Sequence, residues 1–162
     1  MPYWAAAQLQ PQRDRLAGHF LRLNGYQVYC PRVRSAHNGS ALLFPAYAFV
    51  SIELQWRAAA RAPGVLRVVL NGNGDHPAHV PDRIIDELRA REDIDGLITL
   101  PAPPKPRGLR PGAKVRITQG PLRDQFGIYA GQRAHERVAI LLTLLGAQRP
   151  LVLARSAVMP VP

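Results

Sequence analysis

Residues 100–108 read Leu100-Pro101-Ala102-Pro103-Pro104-Lys105-Pro106-Arg107-Gly108. Proline has no backbone N–H, and its ring fixes φ, so neither a helix interior nor a central strand passes through such a run. The segment predicts an extended, semi-rigid linker. A chain of 162 residues therefore divides into a first domain at 1–98, a linker at 99–109 and a second domain at 110–162. No internal repeat is present.

The first domain mixes strands and helices. Tyr3 to Ala7 is short, apolar and strand-like. Gln12 to Asn24 reads as a helix with Leu16, Phe20 and Leu23 as its apolar stripe, stopped by Asn24-Gly25. Tyr26 to Arg34 is rich in β-formers and reads as one strand. Its neighbour is Tyr47 to Glu53, with Ser35 to Ser40 as a polar loop between them. Val65 to Leu70 is a further strand, ended by Asn71-Gly72-Asn73-Gly74. A second helix spans Pro81 to Glu92, with Asp82, Asp86 and Glu87 at its positive end and Ile84, Ile85 and Leu88 toward the core.

The second domain reads as all-β. Lys114 to Thr118, Phe126 to Ala130, Arg137 to Thr143, Pro150 to Ala154 and Ala157 to Pro160 predict short strands that close into a small barrel. The fold class is thus α+β: an α/β sandwich, with a small antiparallel sheet flanked by helices, followed by a five-stranded β-barrel.

Hydrophobic residues form 47% of the chain, enough for a packed core rather than wholesale disorder. No apolar run is long enough to cross a bilayer, and Met1-Pro2-Tyr3-Trp4 lacks the pattern of a secretion signal. The expected location is the cytoplasm, with no membrane partner, and the expected state is a monomer. The single Cys30 forms no internal disulfide, which suits a reducing compartment. The net charge is +10 and unevenly placed. Residues 1–67 carry 8 Arg against 2 acids, 68–97 carry 3 against 7, and 98–162 carry 10 basic groups against 2. Such a balance favours a polyanionic partner, although an Arg-rich surface also serves solubility.

Catalytic chemistry is not visible. The histidines are His19, His37, His76, His79 and His135. His76 and His79 lie beside Asp75, but they flank Pro77 in a Gly/Asn-rich loop, and nothing completes a metal set. Asn71-Gly72-Asn73-Gly74 lacks the residues of a phosphate loop, and no nucleophile elbow occurs. No enzyme activity, metal or cofactor is expected.

Two binding surfaces remain. Arg15, His19 and Arg22 follow at helical spacing on one stripe, with Gln12 and Arg13 at the helix start. Such donors hold phosphates and touch base edges; an ordinary solvated helix face reads the same way. In the strand after Leu42-Leu43-Phe44-Pro45-Ala46, Tyr47 and Phe49 share one face, with Ala48 and Val50 opposite. The aromatic face either receives a partner's helix or lies inside a sandwiched sheet; periodicity does not separate the two.

In combination these motifs resemble the NusG/RfaH family of bacterial transcription factors. The Tyr3-Trp4 start, Pro31, the segment Leu43-Phe44-Pro45-Ala46-Tyr47-Ala48-Phe49-Val50, Ala62-Pro63-Gly64-Val65 and Val80-Pro81 before Ile84-Ile85 follow the family's N-terminal domain in order. After the linker, Pro111-Gly112-Ala113-Lys114-Val115-Arg116-Ile117-Thr118-Gln119-Gly120-Pro121-Leu122 and Gly127-Ile128 look like its KOW motif. The resemblance implies a non-enzymatic elongation factor that binds the clamp helices of RNA polymerase and suppresses pausing. An apolar hollow at Leu43, Phe44, Tyr47 and Phe49 would take the clamp helices, and Trp56 and Arg57 would meet the opposite wall of the cleft. The wording of residues 43–50 is nearer the specialised RfaH-like branch. By that resemblance Gln12, Arg13, Arg15, His19 and Arg22 would meet the non-template DNA strand, with Arg61 and Arg67 adding phosphate contacts. Leu122, Gln125, Leu144 and Leu145 would form the partner surface of the KOW domain, for a small-subunit ribosomal protein or Rho. Gln125 and Ala147 depart from the general NusG pattern, so antitermination is favoured over stimulation of Rho. RfaH refolds its KOW domain into helices, whereas Gly120, Pro121, Gly127, Gly131, Gly146 and Pro150 here predict a stable barrel. The alternatives are a general NusG coupling polymerase to Rho or the ribosome, and a free-standing KOW protein that binds RNA or the ribosome.

Overall fold

The computed structural model describes residues 1–34, 39–102, 115–117, 127–146 and 158–160. The elements run β1 (Tyr3–Leu9), α1 (Asp14–Leu23), β2 (Gln27–Tyr29), β3 (Arg32–Arg34), β4 (Ser40–Leu42), β5 (Tyr47–Ile52), α2 (Trp56–Ala60), β6 (Val65–Val68), α3 (Asp82–Ala90), β7 (Leu97–Ile98), β8 (Val115–Ile117), α4 (Ala134–Leu144) and β9 (Val158–Pro160).

The main sheet is antiparallel, in the order β2-β5-β1-β6. Its inner strands, β1 and β5, are apolar at nearly every position, as suits strands covered on both faces. Side chains alternate across it. Ala5, Ala7, Leu9, Ala48, Val50 and Ile52 pack with Ala17 and Leu21 of α1 and Ala59 of α2. Trp4, Ala6, Tyr47 and Phe49 belong to a second apolar cluster with Ile84, Ile85 and Leu88 of α3 and with Ile140, Leu141 and Leu142 of α4. A smaller sheet, β4-β3-β7, stands beside the first, with β3 antiparallel to β4 and parallel to β7. Arg34 pairs with Asp93 and Asp95, which ties β3 to the turn before β7. Backbone N–H groups of Leu97 and Asp95 donate to Asp93, and with Arg34 they hold its carboxyl below the usual range.

Several expectations are corrected. The single strand over Tyr26 to Arg34 is two strands in different sheets, because Cys30-Pro31 breaks the ladder between them. Residues 35–38 of the intervening loop lie outside the described residues, and Ser40 already begins β4. The stripe of α1 is rotated. Ala17, Gly18 and Leu21 face the sheet, Leu16 and Phe20 are half-buried, and Leu23 is 69% exposed. Small residues let this helix approach closely; a Cβ placed on Gly64 would lie 3.1 Å from the Ala17 Cβ.

The largest difference is in the second domain. The strand predicted over Arg137 to Thr143 is part of helix α4, and residues 127–130 form no strand. The helix breakers flank this window rather than interrupting it. Gly131 precedes it at φ +89°, and Gly146 closes it at φ +72° with its N–H on the Thr143 carbonyl. Between them stand good helix formers, and the Glu136 carboxylate accepts from the Arg133 N–H at 3.2 Å. β8 and β9 are present and pair antiparallel, as two of the predicted barrel strands would. The strand over Pro150 to Ala154 falls outside the described residues. The described residues therefore show a strand pair and a helix, not a five-stranded barrel.

Two turns of the same kind brace the sheet. In Ala62-Pro63-Gly64-Val65 the Val65 N–H reaches the Ala62 carbonyl at 3.0 Å, and Gly64 has φ +86°. In Phe44-Pro45-Ala46-Tyr47 the Tyr47 N–H reaches the Phe44 carbonyl at 3.0 Å, but the third position is Ala46 at φ +66°. That region costs an L-residue about 1–2 kcal/mol that glycine avoids. Ala46→Gly is expected to raise folding stability by about 0.5–1 kcal/mol, after its larger unfolded-state entropy is deducted, as read by urea unfolding.

Candidate functional site

The residues assigned to polymerase binding do not lie on one surface. Leu43, Phe44, Tyr47 and Phe49 all lie in the α3/α4 cluster; Tyr47 is 6% exposed and Phe49 1%. The open aromatic hollow implied for them is closed. Phe49 meets Phe44 edge-on at 5.9 Å and Tyr29 at 6.3 Å. Residues on both sides of the proline run close the cluster, among them Val33, Ile98, Ile128, Ile140, Leu141 and Leu145. The reading in which both faces of the strand are internal is the one observed.

A polar clasp accompanies this cover. Arg137 is 9% exposed; its Nε donates to the Leu43 carbonyl at 2.8 Å and its Nη1 to the Gln132 carbonyl at 2.8 Å. Burial lowers its pKa, opposed by neighbouring Glu136. Gln132 orders the approach to α4: its amide donates to the Gly127 carbonyl and accepts from the Tyr129 N–H, both at 2.8 Å. The Ala130 N–H reaches the Pro101 carbonyl at 2.8 Å, so the approach to α4 is joined to the start of the proline run.

Trp56 and Arg57 lie elsewhere. Trp56 packs at the edge of the α1/α2 cluster, with the Arg57 guanidinium 4.7 Å from its ring centre. The cations of α1 are open to solvent. Gln12, Arg13, Arg15, His19 and Arg22 are exposed, as are Arg61 and Arg67. The start of α1 abuts the 62–64 turn, since a Cβ on Gly64 would stand 3.2 Å from the Arg13 carbonyl. Arg67 donates to Gln8 at 2.7 Å, and Asp14 lies 3.9 Å from Arg32. Among the described residues no carboxylate lies in ion-pair range of Arg13, Arg15, Arg22 or Arg61.

Leu122 and Gln125 lie outside the described residues; Leu144 is half-buried and Leu145 buried. Gln119 to Pro121 and Ala147 also lie outside them. The imidazole of His79 is stacked on the Tyr3 ring at 3.7 Å, and no metal-binding group of His, Cys, Asp or Glu occurs among the described residues. Cys30 is half-buried, and burial pushes its thiol up. A cleft of about 540 Å³ opens at the β2 edge beside Asn24, Tyr26, Gln27, Glu53 and Leu54.

A family model described as "Transcription termination factor nusG" matches residues 2–89, more than half of the chain. The chain belongs to the NusG family. The match runs from β1 into the last turn of α3 and so contains both the aromatic strand and the basic helix. The family consists of transcription factors of elongation and termination, which generally bind RNA polymerase. A solved structure entitled "Domain interaction in Thermotoga maritima NusG" is similar at 22% identity, over 76% of each chain, with a TM-score of 0.44. None of the curated proteins matches. Among the described residues no helix is long and apolar enough to cross a membrane.

Arg137 and Tyr129 are the site residues that the sequence reading missed. The available signal was a glycine-bounded window of helix formers at 134–145, apolar on nearly every side, which marks a buried helix. Because Phe49 is a core residue here, Phe49→Ala is expected to lower folding stability by about 3–5 kcal/mol in urea unfolding, beyond any effect on a partner.

Proposed function

We propose that this protein is a transcription elongation and antitermination factor of the RfaH-like kind, acting in the cytoplasm on RNA polymerase. Leu43, Phe44, Tyr47 and Phe49 bind the clamp helices, and Trp56 and Arg57 meet the opposite wall of the cleft. The observation that carries this reading is the cover itself. An apolar strand face in the family's domain is closed by a helix from beyond the proline linker. A partner's helices can take the place of that helix, and binding requires α4 to leave.

The exposed cations support the second contact. Gln12, Arg13, Arg15, His19, Arg22, Arg61 and Arg67 meet the non-template DNA strand; all but Arg67, which stands beside Gln8 in the opposite row, belong to the α1/α2 side of the sheet, the side that also carries Trp56 and Arg57. The domain division 1–98, 99–109 and 110–162 serves this arrangement, with the KOW-like part as a separable module. Its own partner, a small-subunit ribosomal protein or Rho, would use Leu122, Gln125, Leu144 and Leu145. Leu145 is buried in the covered state, so that partner also waits for release.

Leu141→Asp places a carboxylate in the buried α4 seat and is expected to uncover the strand. Retention on core polymerase should rise about ten-fold or more over the unsubstituted chain, and deletion of the clamp helices should abolish it. Retention of neither chain on intact polymerase would falsify the reading. Arg15→Ala and Arg22→Ala should each weaken single-stranded DNA binding and reduce its salt slope by about 1, if each contacts one phosphate. An unchanged slope would remove the DNA contact.

A further inference from the structure

The last turn of α3 carries Arg89, an exposed residue whose guanidinium lies over two rings, 5.3 Å from the centre of Trp4 and 5.0 Å from that of Tyr29. The negative end of a helix accepts any cation. Two aromatic neighbours select more narrowly, because a planar guanidinium stacks on them and keeps its N–H edge free. Among the described residues no hydrogen-bond acceptor or carboxylate partners that edge. Its neighbours are engaged elsewhere: the Tyr29 hydroxyl donates to Glu92, and Arg91 pairs with Glu87.

Two further donors stand in the adjoining rows. Trp4 is opposite Ser51 in the ladder, and Ser51 is opposite Gln27. Val50 and Ile52 pack toward α1 and α2, so Ser51 points to the other face, with Trp4 and Gln27. Gln27 and Ser51 also line the cleft of about 540 Å³ at the β2 edge. Neither side chain has a hydrogen-bond partner among the described residues. A held guanidinium, a hydroxyl and a carboxamide make a donor set for one anionic group.

The surroundings select the anion. Glu53 lines the same cleft, Glu92 holds Tyr29, and Asp86 lies one turn back on α3. A chain of phosphates would be repelled by these acids, whereas a single carboxylate with cations beside it complements them. Trp, Tyr and Arg are also the residues that anchor protein interfaces.

We propose that Arg89, with Ser51 and Gln27, binds one Asp or Glu side chain of RNA polymerase, on the sheet face that also carries Tyr47 and Phe49. The two rings hold the guanidinium in advance, so little side-chain freedom is lost when the carboxylate arrives. The proposed function supplies only the source of that carboxylate. The site itself belongs to the free chain.

Acetate added to the full chain is the first probe, read from the NMR signals of the arginine Nε–H groups. Arg89 is expected to saturate at an acetate concentration about three-fold or more below that needed for Arg15 or Arg22. Gln27→Glu, at an exposed position on the sheet edge, sets a competing carboxylate beside Arg89 and should remove that difference. Equal titration of the three arginines overturns the site, and tighter binding of inorganic phosphate than of acetate overturns its assignment to a carboxylate. On core polymerase, Arg89→Ala, Arg89→Lys and Gln27→Glu are each expected to lower retention about ten-fold, with the urea midpoint of Gln27→Glu unchanged. Equal retention of these variants rules out polymerase as the source. Absence of retention for every chain, the unsubstituted one included, strikes the proposed function, and the acetate titration still decides the site.

Discussion

Strand β5 is buried on both faces, and most of the architecture follows from that. A strand in this position cannot leave either row of side chains in water without exposing a large apolar surface. One row, Ala48, Val50 and Ile52, is closed by α1 and α2, which follow nearby in sequence. The other row, Tyr47 and Phe49, is closed by α3 together with residues from beyond the proline run. The first cover belongs to the family's domain. The second is supplied in part by residues from the far side of the proline run, so it is separate in sequence from the strands it covers.

Charge follows the same division. The face held by short-range helices carries cations on its outer surface that have no carboxylate partner in range, while acids are concentrated near α3 and the turn before β7. On the proposed function, a polyanion would meet an open surface and an apolar partner a covered one, so the first contact would be sensitive to salt and the second would follow a movement.

Much of the first domain is legible because its signals are local. Short apolar runs mark β1 and β5, Asn24-Gly25 marks the end of α1, and Pro81 with its acids marks the start of α3. Failures arise where neighbours decide. The Tyr26–Arg34 stretch has uniform β-formers, yet Cys30-Pro31 divides it between two sheets. The orientation of α1 turns on Ala17 and Gly18, whose value is the room they leave for Gly64, and no hydrophobicity pattern records that. Arg137 to Thr143 contains residues that suit a buried strand as well as a buried helix, and Gly131 and Gly146 bound that helix without breaking it. The site suffered most, because the exposure of Tyr47 and Phe49 depends on a helix nearly a hundred positions away.

The parallel pairing of β3 with β7 has a mechanical meaning. Arg32 stands opposite Leu97 and Val33 opposite Ile98, so the chain reaches the proline run from the end of a two-residue ladder. Tension arriving at Pro101 would meet its bond to Ala130 and then that ladder before the main sheet, and the Arg34 clip lies on the same load path. Once the Pro101–Ala130 bond has given way, the β3–β4 pair thus takes up a pull ahead of the main sheet.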